Sequence, residues 1–137
     1  MVKYFNLTSD SKKNYSDVDP SEWYASYVAI AKANGMLPDI YGDTFEPNKK
    51  ITRQDMMYIL HRSLEVSNKD SRLADKGDRL DSFTDSTQLA DYARNSAEYL
   101  ISRDIINGSN NMINPNNTST RAEVAQMLYN LLISFLK

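Results

Sequence analysis

The chain has 137 residues, 41% apolar and 25% charged, ordinary values for a single globular domain that buries about two thirds of its unfolded surface. A formal net charge of -2 gives no electrostatic footprint for nucleic acid or a membrane surface, and no apolar run reaches the roughly 18 residues that span a bilayer. There is no cysteine and one histidine, so a His/Cys zinc cluster is excluded, and a Ser-His-Asp arrangement could form only around His61, which reads as a helix-surface residue.

In chain order, residues 1–14 are polar apart from Tyr4, Phe5 and Leu7 and read as a tail or remnant without a signal peptide. Asp19-Pro20-Ser21-Glu22 sets a capping residue before a proline suited to a first helical turn, which predicts a helix starting there. Trp23, Tyr27 and Ile30 follow at helical spacing with Tyr24, Val28 and Ala31, and Gly35 marks the stop. Residues 36–50 carry Pro38, Gly42 and Pro47 and read as a loop pinned by Phe45. A second helix is predicted from Arg53 to about residue 65, with Met56, Met57, Ile59, Leu60 and Leu64 inward.

Residues 67–82 form a charged linker with Leu73 and Leu80 as its anchors, and then the pattern starts again. Phe83-Thr84-Asp85 matches Tyr15-Ser16-Asp17, and each aspartate is expected to cap or brace the turn before its helix. A third helix is predicted over about 89–103, with Tyr92, Ala93, Ala97, Leu100 and Ile101 inward. A loop ending at Pro115 leads to a fourth helix from Arg121 to about residue 136, burying Val124, Met127, Leu128, Leu131, Leu132 and Phe135. Arg121 lies 68 positions after Arg53, and Pro115 lies 68 after Pro47. The chain is therefore a tandem of two helix-loop-helix units, which cannot bury their apolar faces singly and should pack about a shared helical core with the arginine-bearing helices at its centre.

Both of those helices start on one motif, Thr52-Arg53-Gln54-Asp55 and Thr120-Arg121-Ala122-Glu123. Threonine at the N-cap followed three places on by an acid is a capping box, with Asp55 the shorter version. Arginine in a first turn opposes the helix dipole, at a cost of up to about 1 kcal/mol. An anionic ligand at the helix start, met by the guanidinium, would explain that placement twice over, and the competing reading is a pair with a nearby acid. Other chemistry is thin: no two carboxylates stand out as a glycosidase pair, Asp39 to Asp43 has its glycine and acids at the wrong offsets for a calcium loop, and Asn107 to Asn111 lacks the terminal glutamate. Trp23 and Tyr24 could stack on a sugar face, and their helical spacing with Tyr27 and Ile30 equally gives one of them a structural role.

These separated motifs, in the same order twice over about residues 15–134, resemble the S-layer homology (SLH) repeat. The two copies are similar to the second and third of a usual trio. Gln54-Asp55 stands in place of Ala-Glu, Pro38 near a usual glycine, Tyr92 in place of tryptophan and Asp104 in place of the glycine before Ile105-Ile106. The resemblance implies an all-α domain with a first repeat over 15–66 and a second over 83–137. It implies a non-catalytic module, without cofactor or metal, that anchors a protein to the wall or S-layer of a bacterium by binding acidic, pyruvylated secondary cell-wall polysaccharide. The glycan-binding residues it implies are Arg53, Arg121, Trp23, Tyr92, Gly42 and Gly108. It further implies a homo-oligomer or an additional SLH repeat as partner, and no contact with nucleic acid or membrane interior. The alternative is a structural module whose units self-associate without glycan.

Overall fold

A computed structural model describes residues 2–3, 6–67 and 79–135, leaving out the side chains of Leu132, Ser134 and Phe135. Its described residues form helices α1 (Ala25–Ala33), α2 (Arg53–Val66), α3 (Asp91–Ser102) and α4 (Arg121–Phe135), with short 3-10 turns at Asp39–Tyr41, Leu80–Ser82 and Ser86–Gln88. The domain is all-α: the described residues hold isolated β-bridges, Thr52 with Thr118 and Ser109 with Met112, and no sheet.

The two halves pack on each other, but not as two self-contained repeats. The tightest helix pair is α2 with α3, the last helix of the first repeat and the first of the second. Met57, Leu60 and Leu64 of α2, Ala93, Ala97 and Leu100 of α3, and Met127 and Leu131 of α4 share one buried cluster with Leu80, Ile105 and Ile113. A second cluster gathers Val28 and Ala31 of α1 with Tyr15, Val18, Met36 and Leu37, and Ile59 and Val66 of α2 pack against it. The centre is thus α2 between two clusters rather than α2 with α4. The reason is the two-sided apolar face of α2, whereas α4 buries Met127 and Leu131 and leaves Val124 and Leu128 half-covered.

Several local expectations change. α1 begins at Ala25, not at Pro20: Asp19 accepts hydrogen bonds from Ser21 N (2.9 Å) and Ser21 Oγ (2.8 Å), closing an Asx turn followed by i to i+3 bonds up to Ala25. At its other end the backbone bonds Met36 N to Ala31 O and Gly35 N to Lys32 O make a Schellman motif around Gly35, φ +69°. α3 ends the same way through Ile105 N to Leu100 O and Asp104 N to Ile101 O, with Asp104 at φ +57°. The glycine position is therefore conformationally unchanged, and the Asp104 carboxylate accepts from Arg79 (2.8 Å). His61 is buried, stacked on Tyr99 at 4.5 Å with Nδ1 3.2 Å from Ser96 Oγ, because it faces α3 rather than solvent. Leu7 packs on the α1 cluster and Asn14 Nδ2 donates to Ala25 O (2.9 Å), while Tyr4, Phe5 and Leu73 lie outside the described residues.

Asp17 and Asp85 brace loops well downstream instead of capping the helices that follow them. Asp17 accepts from the amides of Phe45 and Glu46, both at 2.8 Å, and Asp85 from those of Ile113 (2.8 Å) and Asn114 (2.7 Å). Ser16 N to Asp43 O and Thr84 N to Asn111 O repeat the same tie one residue earlier. Each loop is thereby held at its turn into the next helix.

Candidate functional site

The start of α2 is closed by the second repeat's loop. Thr52 is extended and its Oγ1 accepts from Asp55 N (3.3 Å), while Arg53 N donates to Asn117 O (2.8 Å) and Gln54 N to Pro115 O (3.0 Å). The first three amides of the helix are therefore all satisfied, and no anion can sit on this N-terminus. This overturns the dipole-bound anion expected at α2. The buried Gln54 adds to the joint: Nε2 donates to Asn116 Oδ1 (3.1 Å) and Oε1 accepts from Ala90 N (2.9 Å), so glutamine in place of alanine ties α2 to the loop and to the start of α3.

With the backbone closed off, the Arg53 side chain turns to the second repeat. Nε donates to Ile113 O (2.9 Å), the carbonyl of a residue whose own amide Asp85 holds, and Nη1 reaches Glu123 Oε2 at 3.2 Å. The acid pair weighed against the anion does exist, across 70 residues of sequence. Asp55 and Glu123 form only half of a capping box each, since both side chains are used elsewhere. Asp55 accepts from the hydroxyls of Tyr41 (3.0 Å) and Tyr92. Both phenols are pushed well above the usual tyrosine range, first by burial and then by the Asp55 carboxylate, so they stay protonated donors.

Arg53 and Glu123 line an open cleft of about 410 Å³ together with Asn107, Gly108, Asn114 and Asn117. Side-chain amides can both donate to and accept from sugar hydroxyls, and the guanidinium supplies the positive charge for an acidic group. Gly108 is required here: at φ +73° an added Cβ would stand 2.6 Å from Phe83 Cε1 and 2.7 Å from Met112 O.

Of the six residues implied as glycan-binding, Arg53 and Gly108 meet in this cleft and four do not line it. Tyr92 is held on Asp55 with its ring edge-to-face against Tyr58. Trp23 is 80% exposed, with Tyr24 edge-on at 5.5 Å. Gly42 has φ +59° and open space around it. Arg121 is exposed at the start of α4, with no ion pair among the described residues. The cleft residues that sequence reasoning missed are the asparagines and Glu123. The amide-rich run 107–117 was their signal, and nothing local placed Glu123 opposite Arg53. The buried Ser96 and His61 contact is interhelical packing, and no group of three His, Asp or Glu side chains among the described residues is placed to hold a metal.

Comparison with known proteins matches the S-layer homology domain model to residues 14–57 and 82–125. Amylopullulanase of Thermoanaerobacterium thermosulfurigenes is 32% identical over 134 residues, which is 96% of this chain and 7% of that protein. Exoglucanase XynX of Acetivibrio thermocellus is 31% identical over 136 residues, 96% of this chain and 12% of the relative. The surface-layer 125 kDa protein of Lysinibacillus sphaericus is 28% identical over 123 residues, 87% of this chain and 10% of the relative. The chain thus spans about a tenth of the length of these relatives.

Proposed function

This chain belongs to the S-layer homology domain family, a family of bacterial cell-surface anchoring modules, and from that premise we propose that it holds a protein to the wall by binding an acidic, pyruvylated secondary cell-wall polysaccharide in the Arg53 cleft. The observation that carries this reading is the cleft itself, a cation set among side-chain amides at the seam of two repeats. Amides suit the hydroxyls of a sugar, and one arginine suits one carboxylate. No step of catalysis is part of the reading.

Arg121 stands apart in it. The matching position in α2 is enclosed by the loop 113–119, and the start of α4 has no such cover among the described residues. Arg53 therefore carries the acid contact, and Arg121 contributes once another repeat or a second copy supplies an equivalent loop. The test is sedimentation with purified wall sacculi before and after chemical removal of the secondary polysaccharide. Binding that disappears with the polysaccharide supports the reading. Equal binding to both would instead favour a module that acts by self-association or protein contact.

A further inference from the structure

The cation of the cleft already carries a carboxylate, and that carboxylate has somewhere else to go. Nε of Arg53 is spent on Ile113 O, and Nη1 is on Glu123, while Nη2 has no hydrogen-bond partner among the described residues. A ligand carboxylate that grips the guanidinium with two prongs needs both Nη groups, because the edge that includes Nε is blocked. Nη1 has a second N–H that such a ligand can use, but two carboxylates on one guanidinium repel each other, so the ligand's carboxylate competes with Glu123 for Arg53.

The contact with Glu123 is built to yield. It is single-pronged at 3.2 Å, with the Glu123 side chain 40% exposed against 15% for Arg53. Glu123 also occupies the third position of a helix whose N-cap, Thr120, already accepts from the Glu123 amide at 3.1 Å. The reciprocal bond of that capping box, from the Thr120 amide to the Glu123 carboxylate, is unmade, and no acceptor meets the Thr120 amide among the described residues. A displaced Glu123 can complete the box of its own helix and recover a hydrogen bond. Asp55, at the matching place in the first repeat, has no such freedom, being fixed by Tyr41 and Tyr92.

We propose that Glu123 is an internal competitor in the cleft that sets its affinity for acidic chains: its carboxylate holds Arg53 when the site is empty, and an acidic sugar substituent displaces it on binding. Neutral glycans do not compete for the guanidinium, so the pair lowers the affinity for acidic chains and leaves that for neutral ones unchanged. The inference rests on the glycan reading above.

Glu123→Gln keeps the side-chain length and the capacity to complete the capping box while removing the competing charge. Affinity is measured by calorimetry for the pyruvate-ketal-bearing polysaccharide and for the same polymer after mild acid removal of the ketal, alongside thermal melting. Glu123→Gln should bind the acidic polymer roughly two- to fivefold more tightly, the ratio that corresponds to losing a part-exposed ion pair. Its affinity for the stripped polymer should not change, and Glu123→Ala should show the same preference. Unchanged or weaker binding of the acidic polymer by either folded variant, with Arg53→Ala still weakening it, overturns the inference and leaves the glycan reading standing. Loss of the melting transition in both variants overturns it too, because Glu123 would then be a structural strut. No binding by wild type overturns both.

Discussion

Arg53 and Arg121 hold the same position in two copies of one motif and meet different surroundings. Arg53 spans Ile113 O and Glu123, while Arg121 projects from the start of α4. Arg53→Ala should therefore cost about 1 to 2 kcal/mol of stability through a lost carbonyl partner and a part-exposed pair. Arg121→Ala should stay within about 0.5 kcal/mol of wild type. Urea unfolding of the two variants checks this, and equal losses would mean that Arg121 has a structural partner. The glycines divide similarly. Gly42→Ala meets open space and pays only backbone strain of about 1 to 2 kcal/mol, whereas Gly108→Ala also drives a methyl into Phe83 and the Met112 carbonyl and should cost about 2 to 4 kcal/mol.

At the scale of elements, the caps were legible because they are local. Thr52 and Thr120 sit three places before the amides they accept, and Gly35 falls where a left-handed residue is needed. The start of α1 misled because an Asx turn uses the same Asp and Ser residues as a cap. The destinations of Asp17, Asp85 and Arg53 could not be read, since each partner lies 28 to 70 residues away and is chosen by packing. The Asp17 brace predicts a pH response with a definite sign. The Asp17 carboxyl is held below the usual range by the amides of Phe45 and Glu46. Its contribution to stability is full above pH about 4, the unfolded value, and is lost as pH falls through the lowered native one. Tyr41 and Tyr92 are shifted upward, so what they add is present below pH about 10 and fades as pH rises beyond it. Asp17→Asn should flatten the acid limb of a stability profile and leave the alkaline limb intact. An unchanged acid limb would show that Asp17 does not set it.

For the whole molecule, the two sequence repeats are not two folding units. Met57, Leu60 and Leu64 of α2 are buried against α3 and α4, so residues 1–66 alone would expose the face on which the main cluster is built. That fragment should show no cooperative melt by circular dichroism, while the full chain melts in one transition. A cooperative melt of the fragment would mean that the first repeat is self-sufficient. The repeat spacing revealed this tandem in the sequence, but not that its seam, rather than either unit, carries the cleft.

The central claim is that an acidic glycan meets Arg53 in that seam. Calorimetry of wild type and Arg53→Ala against pyruvylated secondary cell-wall polysaccharide tests it most directly. Loss of a charge-assisted pair of about 1.5 to 3 kcal/mol should weaken binding roughly ten- to a hundredfold, with Arg53→Lys restoring only part. Unchanged affinity in Arg53→Ala, with the variant folded, would contradict the account.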